Sequence, residues 1–154
     1  MTLNQQIKVL AQEAAQYGIS PVVIDRAIAP VLQSIAQQLN HLEYYIWQNV
    51  REEWVISVIQ NRQSSDVAKK VIYGFATVQD AKNLARNSSP DSIAIALPII
   101  QILFRLFSLQ QIDSIILFDE PGNTTQGTEI KRLDLQQSIQ KQLIQLKTTP
   151  PDIA

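Results

Sequence analysis

Apolar residues recur at helical spacing through the N-terminal part of the chain. Ile7, Leu10, Ala11, Ala14 and Ala15 fall on one stripe, which predicts a helix from Leu3 to Tyr17 with Gly18 as its C-terminal cap. Ser20 and Pro21 then supply an N-cap oxygen and a residue suited to the first helical position. Ile24, Ile28, Val31, Ile35, Leu39 and Leu42 follow at spacings of three and four, a second amphipathic helix that Pro30 should kink or split. The same stripe extends toward Tyr44, Tyr45 and Trp47.

The period then shortens to two. Trp54, Ile56 and Val58 alternate with Val55, Ser57 and Ile59, and Val71, Tyr73 and Phe75 alternate with Ile72, Gly74 and Ala76. With the polar turn Asn61–Asp66 between them, these runs predict an antiparallel hairpin. Thr77 and Asp80 resemble a capping box opening a short helix near Val78–Arg86. Asn87-Ser88-Ser89-Pro90 is a break. The stretch from there to Leu109 is apolar nearly all round and reads as one long buried helix, kinked at Pro98. Ser114–Phe118 predicts a third strand, Asp119–Gly127 a loop, and Thr128–Leu133 a fourth strand at an edge. Asp134 should cap a last helix with Leu135, Ile139, Leu143 and Leu146 on one face. The order ααββααββα predicts a single α+β domain over residues 1–147, with a flexible C-terminal tail at 148–154. Its sheet should be mostly antiparallel and four-stranded, two hairpins covered by helices.

Composition narrows the chemistry. Thirteen Lys+Arg against 14 Asp+Glu leave a formal net charge of −1, which argues against a nucleic-acid partner and its basic face. Without cysteine there is no disulfide, thiolate metal site or thiol nucleophile. No cationic head precedes an apolar core at the start, and the longest greasy run is too short to span a bilayer, so no membrane is expected and the default address is the cytoplasm. Glutamine occupies 20 positions spread along the helices, a polar but uncharged surface that weakens repulsion against other proteins.

No residue set stands out as catalytic or metal-binding, and no cofactor is implied. Gly122 and Gly127-Thr128 have the spacing of a phosphate loop but lack its lysine, and a hairpin turn explains them. Asp119 and Glu120, with Asn123 and Glu129 nearby, could offer oxygens to a hard cation, yet lack the alternating acidic spacing of an EF-hand. His41 could serve as acid or base but has no identifiable catalytic partner in sequence.

The aromatics are more informative. Tyr44, Tyr45, Trp47 and Trp54 crowd a helix-to-strand junction, and Tyr73 and Phe75 should return beside them across the hairpin. Core packing is the plain reading. Tyrosine and tryptophan also carry polar handles and are enriched in binding surfaces. With Arg51 and Arg62 framing a groove, an extended peptide could add to a strand edge here. The candidate peptide-binding residues are therefore Tyr44, Trp47, Trp54, Arg62, Tyr73 and Phe75.

The stretch Glu52-Glu53-Trp54-Val55-Ile56-Ser57-Val58-Ile59-Gln60-Asn61-Arg62, followed by Lys69-Lys70-Val71-Ile72-Tyr73-Gly74-Phe75-Ala76-Thr77, together with the glutamine-rich helices, resembles the cyanobacterial carboxysome shell-assembly chaperones of the CcmS type. That resemblance implies a non-enzymatic assembly factor that binds the C-terminal tail of a carboxysome shell protein, and hence carboxysome association. It transfers no binding residue to a position here. Two other readings stay open. One is a small cation-dependent or hydrolytic enzyme centred on Asp119, Glu120 and His41. The other is an obligate subunit whose greasy segment Ile93–Leu109 packs on another chain.

Overall fold

The computed structural model describes residues 1–61, 64–84 and 91–148. Arg62, the proposed turn at Asn87–Pro90 and most of the expected tail lie outside these residues.

Six strands form one mixed sheet: β1 (Glu43–Gln48), β2 (Ser57–Asn61), β3 (Ser64–Phe75), β4 (Ile93–Pro98), β5 (Ser114–Phe118) and β6 (Thr128–Lys131). Their order is β4-β1-β3-β5-β6, with β2 also on β3. This corrects the expected four-stranded antiparallel sheet. Both expected pairs form, β2 with β3 and β5 with β6, each antiparallel. They are joined, however, by a parallel pairing of β3 with β5, from Val71 opposite Ser114 to Phe75 opposite Phe118. The chain leaves the end of β3 and returns to the start of β5 through a long crossover, which is what parallel pairing requires.

Two segments read as helix are strands. Tyr44, Tyr45 and Trp47 lie in β1, where burial alternates along Glu43–Gln48 with a period of two. Ile93–Pro98 is β4, paired antiparallel with β1 over all six residues. A run that is apolar on every side has no period, so a buried strand and a buried helix look alike in it. Pro98 does not kink a helix; it is the extended residue that precedes α5 (Ile99–Ser108).

The other helices are α1 (Leu3–Gln16), α2 (Pro21–Val23), α3 (Ala29–Ala36), α4 (Val78–Leu84) and α6 (Arg132–Thr148). Ser20 accepts from the Val22 N–H ahead of Pro21, as the sequence predicts. Between α2 and α3 the ladder widens into a π turn at Ile24–Ile28, where the Ala29 N–H reaches back to the Ile24 carbonyl. Pro30 has no N–H and its ring crowds the carbonyl one turn back, so the helix gives way there. Helix α3 stops at Ala36, well short of Leu42. Thr77 accepts from the Asp80 N–H at 3.1 Å at the start of α4. Asp134 sits in the first turn of α6, not before it.

Helices α1, α3, α5 and α6 and the π turn cover one face of the sheet. Its strands send Tyr44, Ile46, Ile72, Ile115 and Leu117 into that core. Helix α5 contributes Ile99, Ile100, Ile102, Leu103 and Leu106 to the same core. The second face carries Phe75 and Phe118 with Tyr45, Trp47, Tyr73, Ala94 and Ile116 around them, and α4 supplies Ala81. Among the described residues no helix is long and apolar enough to cross a membrane.

Candidate functional site

Strand alternation divides Tyr44, Trp47, Tyr73 and Phe75 between the two faces, because successive side chains on a strand point oppositely. Tyr44 is 0% exposed and belongs to the helix-covered core. Trp54 is 5% exposed and packs into the same core. Phe75 is buried in the second-face cluster. Trp47 and Tyr73 are half-buried on that second face, and Arg62 lies outside the described residues. The structure therefore groups Trp47, Tyr73 and Phe75, and separates Tyr44 and Trp54 from them.

The second face holds a ring layer that includes two residues absent from the candidate set, Tyr45 and Phe118. Phe118 stacks on Tyr73 with ring centroids 5.7 Å apart and on Phe75 at 5.5 Å. Trp47 donates its indole N–H to the Ala81 carbonyl at 3.1 Å, which fixes the ring beneath α4. Tyr44, Tyr45, Ile46 and Trp47 are aromatic or apolar in turn, so the sequence of this strand has no alternation that would place Tyr45 on this face.

Strands β1 and β2 lie along the same edge of β3. Ile46 faces Gly74 and Ser57 faces Val71, so Asn49–Ile56 is an excursion between two collinear strands. Asn49 builds its turn: the side-chain carbonyl accepts from the Arg51 N–H at 2.9 Å and the Glu53 N–H at 3.0 Å. Glu52 adopts φ 62°. Arg105 of α5 then clamps the excursion. Its guanidinium lies 4.6 Å from the Trp54 ring centroid and donates to the Glu52 carbonyl at 2.7 Å. Burial holds the Arg105 pKa below its ordinary value, against the opposing charges of Glu52 and Glu53.

Beyond this excursion β2 runs out with little cover. Val58 is 58% exposed and Ile59 39%. No charged residue occurs from Ser57 to Asn61. Among the described residues, β2 pairs only with β3, so its outer backbone edge has no strand partner. Native edges are usually blunted by charge, proline or cover, and an uncharged, exposed edge is a template for a further strand.

His41 and Asp119, the centre of the enzymatic alternative, do meet. The His41 Nε2–H donates to the Asp119 carbonyl at 2.7 Å. The Asp119 carboxylate accepts from the Asn40 side-chain amide at 2.7 Å, the Asn40 N–H at 3.0 Å and the Tyr44 hydroxyl. Burial, followed by donation to Asp119 and that carboxylate's charge, pushes the Tyr44 pKa well above its usual value. These bonds tie the α3–β1 connection to the end of β5. Glu120 takes no part; it accepts from the Asn123 amide. Among the described residues no three His, Cys, Asp or Glu side chains are placed to share a metal ion.

No protein-family model matches the chain, and no curated protein matches it in sequence.

Proposed function

We propose that the protein is a non-enzymatic assembly factor that captures a flexible peptide as an added strand on β2, beside Trp47 and Tyr73. The single observation that supports this reading is the uncharged edge of β2, which has no strand partner among the described residues, with Val58 and Ile59 exposed. Main-chain hydrogen bonds along such an edge give affinity, and neighbouring side chains give specificity. The excursion that interrupts β1 and β2 is held by Asn49 and Arg105, so the edge is presented by an ordered frame. Pre-ordering lowers the entropic cost of capture. The resemblance to carboxysome shell-assembly chaperones names the partner: the C-terminal tail of a shell protein.

The test is titration of a fluorescent shell-protein tail peptide against the protein and three variants. Ile59→Lys places a charge at the edge, and Tyr73→Ala removes the half-buried ring. Each should weaken binding about tenfold or more, equivalent to about 1.4 kcal/mol, with the melting temperature of Ile59→Lys unchanged. Gln12→Ala, on an exposed part of α1, should bind like the unaltered chain. Absence of binding, or binding indifferent to Ile59→Lys, overturns the reading.

A further inference from the structure

The connection from β5 to β6 lies against the ring layer of the second face. Its start is fixed, since the Asp119 carboxylate accepts from Asn40 and Tyr44. Its end is fixed too, because Thr128 pairs with Leu117 across β5 and β6. Just before that pairing, the Gly127 backbone sits directly on the ring layer. A Cβ there would lie 2.5 Å from the Ile116 Cγ2 and 3.1 Å from the Phe118 Cε1. Phe118 is buried.

Between these ends the segment is bonded mainly to itself. The Asn123 side chain accepts from the Thr125 N–H and hydroxyl, and the Asn123 N–H donates to the Glu120 carbonyl. Apart from the exposed Pro121, residues 120–127 carry no apolar side chain. Among the described residues, their hydrogen bond to the body of the protein runs from the Gly122 N–H to the Asp80 carboxylate on α4, at 3.0 Å. Gly122 has φ 83°, a conformation that glycine adopts without strain.

Asp80 makes this a costly bond to keep closed. It is 6% exposed and, among the described residues, forms no ion pair. A buried carboxylate loses its hydration, and one neutral N–H donor replaces only part of it. Detachment returns the carboxylate to water, whereas closure covers Phe118. The two effects oppose each other, and segments with few apolar contacts are the ones that open locally.

We infer that residues 120–127 are a strap latched by Asp80, whose release uncovers Ile116 and Phe118 on the second face. Asp119 and Thr128 stay in place as its two anchors, and Gly122 and Gly127 absorb the change of backbone between them. Phe118 stacks on Tyr73, so the strap controls the ring layer from its β5 side. This device holds whether or not a peptide adds to β2.

The chain has no cysteine, so a single introduced thiol reports on the strap. Ile116→Cys places it under Gly127, and Gln12→Cys places one on an exposed part of α1. Each is labelled with dithiobis-nitrobenzoate, with and without Asp80→Ala. The latch variant should speed labelling at position 116 about tenfold or more and leave position 12 unchanged. Gly122→Ala meets no neighbouring atom but strains the closed backbone, so it should act in the same direction. Amide exchange at Ile115 in β5 should stay the same in every variant, which separates strap release from unfolding. Equal labelling at position 116 in all backgrounds, or acceleration matched by faster exchange at Ile115, overturns the inference. Should Asp80→Ala fail to fold, Gly122→Ala decides alone.

Discussion

The hydroxyl of Tyr44 donates to the carboxylate of Asp119, a residue at the far end of β5 and 75 positions later in the chain. This bond joins the start of β1 to the end of β5 across the intervening β3. Because Tyr44 is buried and neutral, ionising it is disfavoured in the folded state and raises its pKa. The stabilisation is therefore fully present below the ordinary tyrosine value of 10.0 and is lost as pH rises above it. In that range the unfolded chain releases a proton that the native state retains, a loss of about 1.4 kcal/mol per pH unit. Urea midpoints measured from pH 8 upward should fall more steeply for the unaltered protein than for Tyr44→Phe. At neutral pH, Tyr44→Phe should cost about 1.5–3 kcal/mol, the range for a hydrogen bond to a charged group.

Gln6 links three segments. Its amide donates to the Leu42 carbonyl at 2.9 Å, and its oxygen accepts from the Ile100 N–H at 3.0 Å. Helix α5 has no side-chain cap from its own Pro98, so a glutamine from α1 satisfies one of its first free N–H groups. Gln6→Leu should leave that N–H buried without a partner and cost about 1–3 kcal/mol. A melting temperature lower by roughly 2–10 °C would register it. Gln12→Leu, on an exposed part of the same helix, should change little.

Gly74 sits where β3 is flanked by β1 and β5, facing Ile46 and Leu117. A Cβ there would lie 2.5 Å from the Leu117 Cδ2. Gly74→Ala should destabilise by about 1–3 kcal/mol through overpacking. Leu117→Ala alone should cost about 2–5 kcal/mol by opening a cavity. The double variant should be less destabilised than the sum of the two, since each change relieves the other. Denaturant midpoints of the three proteins give the coupling directly.

Arg105 holds Trp54 and the Glu52 carbonyl at once. Arg105→Met keeps much of the apolar stem and removes the charge and the donor. It should destabilise by about 1–2 kcal/mol, summing a cation–π contact and a lost hydrogen bond. Loosening of the Asn49–Ile56 excursion should appear as faster amide exchange at Val55, whose N–H donates to the Trp47 carbonyl.

Much local structure was legible from near neighbours. The Ser20 cap, the Thr77 oxygen at the start of α4, the interruption before Pro30 and the two antiparallel pairs each depend on residues a few positions apart or on a simple alternation. The candidate site was legible only in part. The aromatic residues stand out in the sequence, but the helical spacing runs on into Tyr44–Trp47, and only β1 divides them between two faces. The twenty glutamines looked like surface, and Gln6 is instead buried as a link between α1, the start of β1 and α5.

Sequence by itself determined the caps at Ser20 and Thr77, the amphipathic α1, and the pairing of β2 with β3 and of β5 with β6, because caps and periodicity act within a few residues. Tertiary structure alone decided that Ile93–Pro98 is a strand, that β3 and β5 run parallel, and that Trp47 and Tyr73 face away from Tyr44. A strand's hydrogen bonds are completed by a partner distant in sequence, and an apolar run without a period does not say whether that partner exists.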